Sequence, residues 1–183
     1  MVDANPVEER AQIISGCTVS YENRVIMVKG PKGDSSKKLY NPNIFIKIEG
    51  SEVIFSAKKL NKTTKKLLNT YKAHVNNLFK GVSEGHIYKL KICSGHFPMT
   101  VSVKGSIFEI KNFIGEKVPR TTVIKEGSTV KIDGHDIIVE SINKEQAGQM
   151  AASIEQLTRR PGFDTRIFQD GIYITEKDGK IIK

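Results

Sequence analysis

Apolar and polar positions alternate over residues 17–21 and 24–29, on either side of Glu22-Asn23, and this pattern predicts a β-hairpin. A second alternation, over 44–48 and 53–57 around Gly50-Ser51, predicts another hairpin, with Asn41-Pro42-Asn43 as the turn signal ahead of it. The period then changes. Leu60, Thr64, Leu67, Tyr71, Val75 and Leu78 recur at about 3.6-residue spacing, so a helix is predicted near 60–80 with this stripe facing inward. Lys58, Lys62, Lys65, Lys72 and Lys80 fall on the opposite side, which makes the outer face cationic.

The second half follows the same plan. Strands are predicted near 87–93, 100–104, 107–112, 121–125, 129–133 and 136–140. A helix starts near Asn143, whose side chain suits a capping box with Gln146. Ala147, Met150, Ala151, Ile154 and Leu157 form its apolar stripe. Gly148 within it costs about 1 kcal/mol relative to alanine, which a close approach to a sheet would explain.

The two halves align directly. VSYENRVIMVKGPKG at 19–33 matches VSVKGSIFEIKNFIG at 101–115 without a gap, and KIEGSEVIF from Lys47 matches KIDGHDIIV from Lys131. A repeat this long, in this order, indicates duplication of a whole domain. The expected fold is α+β, with two tandem duplicated domains, each an antiparallel β-sheet packed against one α-helix. The expected limits are 1–84 and 85–183, with the boundary in GVSEG at 81–85 and with 17–80 superimposable on 99–158. Residues 159–183 have no counterpart in the first half. They form a C-terminal extension with a Pro-Gly turn, paired arginines and a predicted strand at 172–175, and such an unduplicated addition is where function is sought.

Charge narrows the class of partner. The 29 Lys and Arg against 20 Asp and Glu give a formal net charge of +9, which favours a polyanion. No apolar run approaches the roughly 20 residues that span a bilayer, so no membrane is implied. The acidic start MVDANPVEERAQ does not read as a secretory signal, and two distant cysteines, Cys17 and Cys93, suit a reducing compartment such as the cytoplasm. There is no Trp, and Tyr and Phe lie mostly in apolar patterns, so no stacking platform for single-stranded bases is visible.

Catalytic and metal chemistry find little support. His74, His86, His96 and His135 show no metal-ligand spacing, and only His96, in SGHFP, stands out. Cys93 and His96 are close in sequence but do not make a dyad, and no strained nucleophile turn is present. Gly30-Pro31-Lys32-Gly33 matches a bare GxxG, but it follows a strand and leads to a polar loop, so it reads as an exposed basic loop. No catalytic residue, metal ligand or cofactor is assigned. Residues 53–83 hold seven Lys and no acid, which points to phosphate contact for part of that face. Arg159, Arg160 and Arg166 of the extension are better placed, because a planar guanidinium matches phosphate oxygens and base edges.

The motifs VKGPKG at 28–33, GVSEG at 81–85, YKLKI at 88–92, HFP at 96–98, NFIGEK at 112–117, GQMAASIEQ at 148–156 and DGIYITEK at 170–177 span nearly the whole chain. In order and spacing the chain resembles the universal large-subunit ribosomal protein six family, called nine in older eukaryotic usage, and HFP and DGIY resemble its archaeal and eukaryotic branch. The resemblance implies a structural constituent of the large ribosomal subunit, not an enzyme. It implies a place near the stalk base and the sarcin–ricin region, beside neighbouring ribosomal proteins and the translation factors that dock there. It also implies rRNA contact chiefly through the second domain and the extension. The rRNA-facing residues expected here are His96, Lys111, Asn112, Lys117, Arg120, Arg159, Arg160 and Arg166. Other classes are an RNA-acting enzyme or chaperone sharing the duplicated fold, and a protein–protein adaptor, which would expose apolar patches instead of lysine faces.

Overall fold

The computed structural model describes residues 7–57, 61–164 and 166–182. The chain divides into two compact units, Met1–Gly85 and His86–Lys183. Leu60 and Lys58 of the predicted first helix lie outside the described residues.

The first unit runs β1 (Val7–Gln12), β2 (Thr18–Glu22), β3 (Val25–Gly30), β4 (Gly33–Lys38), β5 (Ile44–Glu49), β6 (Glu52–Ala57) and α1 (Lys62–Ser83). Its strands form two antiparallel sheets, β1-β6-β5 and β2-β3-β4. The predicted hairpins are present. The first turns at Asn23-Arg24, one residue later than expected, because both take the left-handed conformation (φ 51° and 66°) that a two-residue hairpin turn needs. Two strands are additions to the sequence reading. β1 has a charged sequence, VEERAQ, at a sheet edge, where charge discourages pairing with other chains. β4, GDSSKK, was expected to be a polar loop. It forms because the two-residue turn at Pro31-Lys32 leaves the free edge of β3 within reach, and an edge strand needs backbone partners more than apolar side chains.

Helix α1 begins at Asn61, whose amide donates to the Thr64 hydroxyl at 2.7 Å. Its inward stripe is Thr64, Leu68, Tyr71, Val75, Leu78, Phe79 and Val82. Leu68 takes the place expected for Leu67, which is only half-buried. Phe55 of β6 is fully buried and meets the Tyr71 ring edge-on, with centroids 6.5 Å apart. A side chain of this size buried from water contributes about 1.5–3 kcal/mol.

The second unit runs β7 (His86–Cys93), β8 (Thr100–Lys104), β9 (Ile107–Lys111), a 3-10 turn at Phe113–Gly115, β10 (Arg120–Val123), β11 (Ser128–Asp133), β12 (Asp136–Ser141), α2 (Lys144–Leu157), β13 (Gly171–Lys177) and β14 (Lys180–Ile181). Its sheets are β10-β9-β8 and β11-β12-β7-β13-β14. Strand by strand, β7–β12 and α2 repeat the order and pairing of β1–β6 and α1, so each repeat holds two small sheets and one helix. Among the described residues, β13 and β14 are the added strands, on the edge of β7 away from β12. The core gathers Leu90, Phe108, Ile110, Phe113, Ile137, Val139, Met150, Ile154 and Ile172, all essentially without solvent exposure. His86 is fully buried at the start of β7, with Nδ1 3.2 Å from Asp178.

The stripe of α2 is as predicted at Ala147, Met150, Ala151 and Ile154, and Leu157 packs half-buried against the core. The cap differs in detail. The Asn143 side chain accepts from the Glu145 amide at 2.9 Å, while the Asn143 amide donates to Ser141 Oγ at 3.2 Å. A Cβ on Gly148 would lie 3.3 Å from the Tyr88 hydroxyl, so glycine is where the helix approaches β7 closely.

Candidate nucleic-acid interface

Three segments converge at one end of the second unit: the loop from β7 to β8, the loop from β9 to β10, and the stretch from the end of α2 to the start of β13. The pairing of β13 with β7 dictates the first meeting. Gly171 stands opposite Cys93, so Asp170 falls beside the loop that follows β7. Its Oδ1 accepts from the Gly95 amide at 2.7 Å and the His96 amide at 2.9 Å, and its Oδ2 lies 2.5 Å from His96 Nδ1. The Asp170 side chain is only 2% exposed. Burial pushes its carboxyl up, but the His96 amide, the His96 ring and the Gly95 amide outweigh that and hold it at about 2.

His96 continues outward into an aromatic series. Its ring lies 5.1 Å from that of Phe168, and Phe168 meets Phe163 edge-on at 5.0 Å. The Arg160 guanidinium covers Phe163 at 4.1 Å.

The β9–β10 loop is the largest local difference between the repeats. In the first unit the equivalent hairpin closes through Pro31-Lys32 alone; in the second, residues 112–119 intervene. Asn112 (φ 58°) and Ile114 (φ 47°) both have left-handed backbone. For a β-branched residue such as Ile114 that conformation costs about 1–2 kcal/mol. Burial of Phe113 and packing of Ile114 against the core hold the loop there. Asn112 Nδ2 donates to the Pro98 carbonyl at 3.0 Å, and a Cβ on Gly115 would stand 3.8 Å from the Phe97 ring, so HFP and NFIGEK form one surface.

Arg120 fastens this loop to α2. Its fork donates to both oxygens of Glu116 at 2.7 Å, and Nη1 donates to the carbonyls of Leu157 at 2.6 Å and Arg159 at 3.3 Å. The guanidinium also lies 4.5 Å from the centre of the Phe113 ring. The Arg120 bond pulls the Glu116 carboxyl below its ordinary range. Arg120, expected at the RNA surface, is thus engaged inside the protein and positions the loop and the helix end.

The remaining candidates are distributed as follows. Arg159 and Lys117 are exposed, and their side chains have no partner among the described residues. Arg160 is half-buried on Phe163. Lys111, at the end of β9, lies 3.9 Å from Glu109, whose closer partner is Lys104 at 2.7 Å. Arg166 is 88% exposed and bound through its fork to Asp164 at 2.8 and 3.1 Å. Between Ile114, Arg159, Arg160, Phe163, Phe168 and Tyr173 lies an open cleft of about 540 Å³. The edge of β13 behind it is closed by α2. The Ile172 amide donates to Thr158 Oγ1 and the Ile174 amide to Glu155 Oε1, both at 3.0 Å.

Sequence reasoning missed Asp170, Glu116, Phe163 and Phe168. DGIY was noticed as a motif, but nothing periodic marks an aspartate that binds a loop distant in sequence. The two phenylalanines lie in an irregular stretch with no apolar period, where only their presence beside paired arginines was a signal.

Together these features define a duplicated α+β protein whose second repeat carries a cationic surface with aromatic side chains. Among the described residues no cluster could hold a metal ion, and no helix is long and apolar enough to cross a membrane. The chain belongs to the ribosomal protein L6 family, whose family model matches residues 13–85 and 97–171, one match to each repeat. It is 44% identical to large ribosomal subunit protein uL6 of Methanococcus vannielii over 96% of this chain and 97% of the relative. It is 45% identical to that of Methanosarcina mazei over 91% and 94%. With the protein of the same name from Natronomonas pharaonis it shares 41% identity over 87% and 90%. These relatives are archaeal, within the archaeal and eukaryotic branch that HFP and DGIY resemble.

Proposed function

We propose that this protein is a structural component of the large ribosomal subunit in the cytoplasm, and that its second repeat anchors it to large-subunit rRNA. The observation that carries the reading is the convergence of HFP, NFIGEK and the arginine-bearing extension on one surface of a chain in the ribosomal protein L6 family. Three acids of that surface are engaged internally. Glu116 holds Arg120, Asp164 holds Arg166, and Asp170 holds His96. Arg159 and Lys117 pair with no acid among the described residues and are open to phosphates, and Arg160 presents a planar cation already fixed on an aromatic ring. The binding site is the region of the stalk base and the sarcin–ricin loop, beside neighbouring ribosomal proteins, where the protein supports the docking of translation factors.

Filter binding of the full chain to archaeal large-subunit rRNA across a salt series tests this. Affinity is expected to fall steeply with salt as phosphate counterions are released, by about 10³-fold or more between 50 and 200 mM if six phosphates are contacted. Affinity that ignores salt, or that is matched by any DNA duplex, overturns the reading. Footprints confined to rRNA remote from the sarcin–ricin region overturn the placement.

A further inference from the structure

We propose that the cleft beside the end of α2 receives one unpaired, amino-bearing base of the bound rRNA, stacked on the surface that Arg160, Phe163 and Phe168 build. The proposal rests on the rRNA-binding reading above and names the chemistry of the ligand at that site.

The cleft has the dimensions and the walls for this. Its volume of about 540 Å³ lies within the range of small-ligand sites, roughly 300–1,000 Å³. Part of its wall is aromatic, from Phe163, Phe168 and Tyr173. Phe163 is 37% exposed and is held in place by Phe168, whose ring stands nearly perpendicular to it, and by the guanidinium of Arg160. A base laid on the open part of this ring or on the outer face of the guanidinium completes the stack. Stacking of this kind needs the base to be out of a duplex, because a paired base offers only its edge.

The polar groups fix orientation. Arg159 and Arg160 stand at the cleft with charge complementary to the phosphate on either side of an extruded nucleotide. Glu155 also lines the cleft. One of its oxygens accepts from the Ile174 amide, and the other has no partner among the described residues. A carboxylate oxygen can only accept, so it pairs with an N–H of the base: the exocyclic amino group of adenine, cytosine or guanine offers two such hydrogens, whereas uracil offers only its imino N3–H. The cleft walls are also preorganised. Ile114 is held in a left-handed conformation, Arg160 sits on its ring, and the Asp170 carboxylate fixes the loop beneath His96.

The test uses the full chain and large-subunit rRNA of Methanococcus vannielii, probed at Watson–Crick edges with dimethyl sulfate for adenine and cytosine and kethoxal for guanine. Wild-type protein is expected to protect at least one unpaired base. Phe163→Tyr keeps a ring and should keep that protection. Phe163→Leu keeps apolar bulk without a π face; it should restore reactivity and weaken binding about tenfold, with the salt dependence unchanged because no phosphate contact is lost. If Phe163→Leu protects as well as wild type, or if no unpaired base is protected while steeply salt-dependent binding persists, the cleft assignment is wrong and the rRNA-binding reading stands. If wild type does not bind the rRNA at low salt, both are overturned.

Discussion

Asp170 shows how one buried residue organises a surface that it does not itself reach. Its carboxylate accepts two backbone amides and faces an imidazole, so it fixes the loop carrying His96 and Phe97. Asp170→Asn retains one acceptor oxygen but turns an amide NH₂ towards the His96 ring. The expected cost is about 2 kcal/mol in urea unfolding, in line with hydrogen bonds to a charged group. Amide exchange at Gly95 and His96 should accelerate at the same time; unchanged exchange would show that the loop is held by something else. The pH dependence has a definite sign. The carboxyl sits at about 2 in the folded protein against an ordinary 3.8. Its stabilisation is therefore fully present above about pH 4 and is lost as pH falls through 2. The difference between wild type and Asp170→Asn should shrink across that window in acid titrations. None of this is legible in the sequence, because a lone aspartate before a strand carries no local signature. His96 was singled out from its Gly and Pro neighbours, yet its partner follows only from the register of β13 on β7.

At the scale of elements, both repeats end their helix in the same way by different means. In the first, the β3–β4 turn docks on the end of α1: the Lys32 amide donates to the Val82 carbonyl at 2.9 Å, and Lys32 Nζ donates to the Glu84 carbonyl. In the second, Arg120 donates to the Leu157 and Arg159 carbonyls. A cation on the terminal carbonyls satisfies acceptors that the helix leaves open and opposes its dipole. The docking leaves no room at Gly30, where a Cβ would lie 2.7 Å from Val82 Cγ2 and 3.0 Å from its carbonyl oxygen. Gly30→Ala should destabilise the first unit by about 1–3 kcal/mol without altering rRNA affinity at temperatures where it stays folded. Thermal unfolding followed beside filter binding checks this, and a neutral effect would mean that the hairpin moves freely off α1. Arg120→Lys loses the two-pronged grip on Glu116 and should cost about 1–2 kcal/mol in the second unit. GPKG was readable as a motif, but its reason was not, since a helix end fifty residues away supplies it. The helices and most strands were readable because amphipathic periods survive in them. β1 and β4 were not, because edge strands are held by backbone bonds and tolerate polar sequences. The register of β13 also changes how the extension must be tested. Truncation after Gly162 would remove a strand whose Ile172 is fully buried in the core, so lost binding would report unfolding and not a lost contact.

For the whole molecule, net charge and the proposed docking face point in opposite directions. Residues 1–84 carry 14 basic and 8 acidic residues, and residues 85–183 carry 15 and 12. Charge alone would choose the first unit, where Lys62, Lys65 and Lys66 are exposed on α1 and no acid lies on the helix. Part of that cationic face is already committed, since Lys72 binds Glu9 at 2.8 Å. In the second unit the excess is smaller but better arranged. Beyond a Debye length of about 8 Å, acids elsewhere on the unit do little to the potential felt at its docking face. Duplication explains how such a division arises: one repeat keeps the tight hairpin, while the other widens it into NFIGEK and gains an extension. We therefore expect the second unit to supply the dominant rRNA contacts. Replacing Lys117, Arg159 and Arg160 by Gln should flatten the salt dependence of binding by about two units of slope, at roughly 0.7–0.9 per lost phosphate contact. Replacing Lys62, Lys65 and Lys66 by Gln removes the same formal charge and should flatten it by less than one. Because both triple variants alter exposed or half-exposed side chains, their urea midpoints should stay near wild type, and the comparison reads contact and not folding. A larger loss from the helix lysines would transfer the anchor to α1 and leave the second-repeat face for another partner.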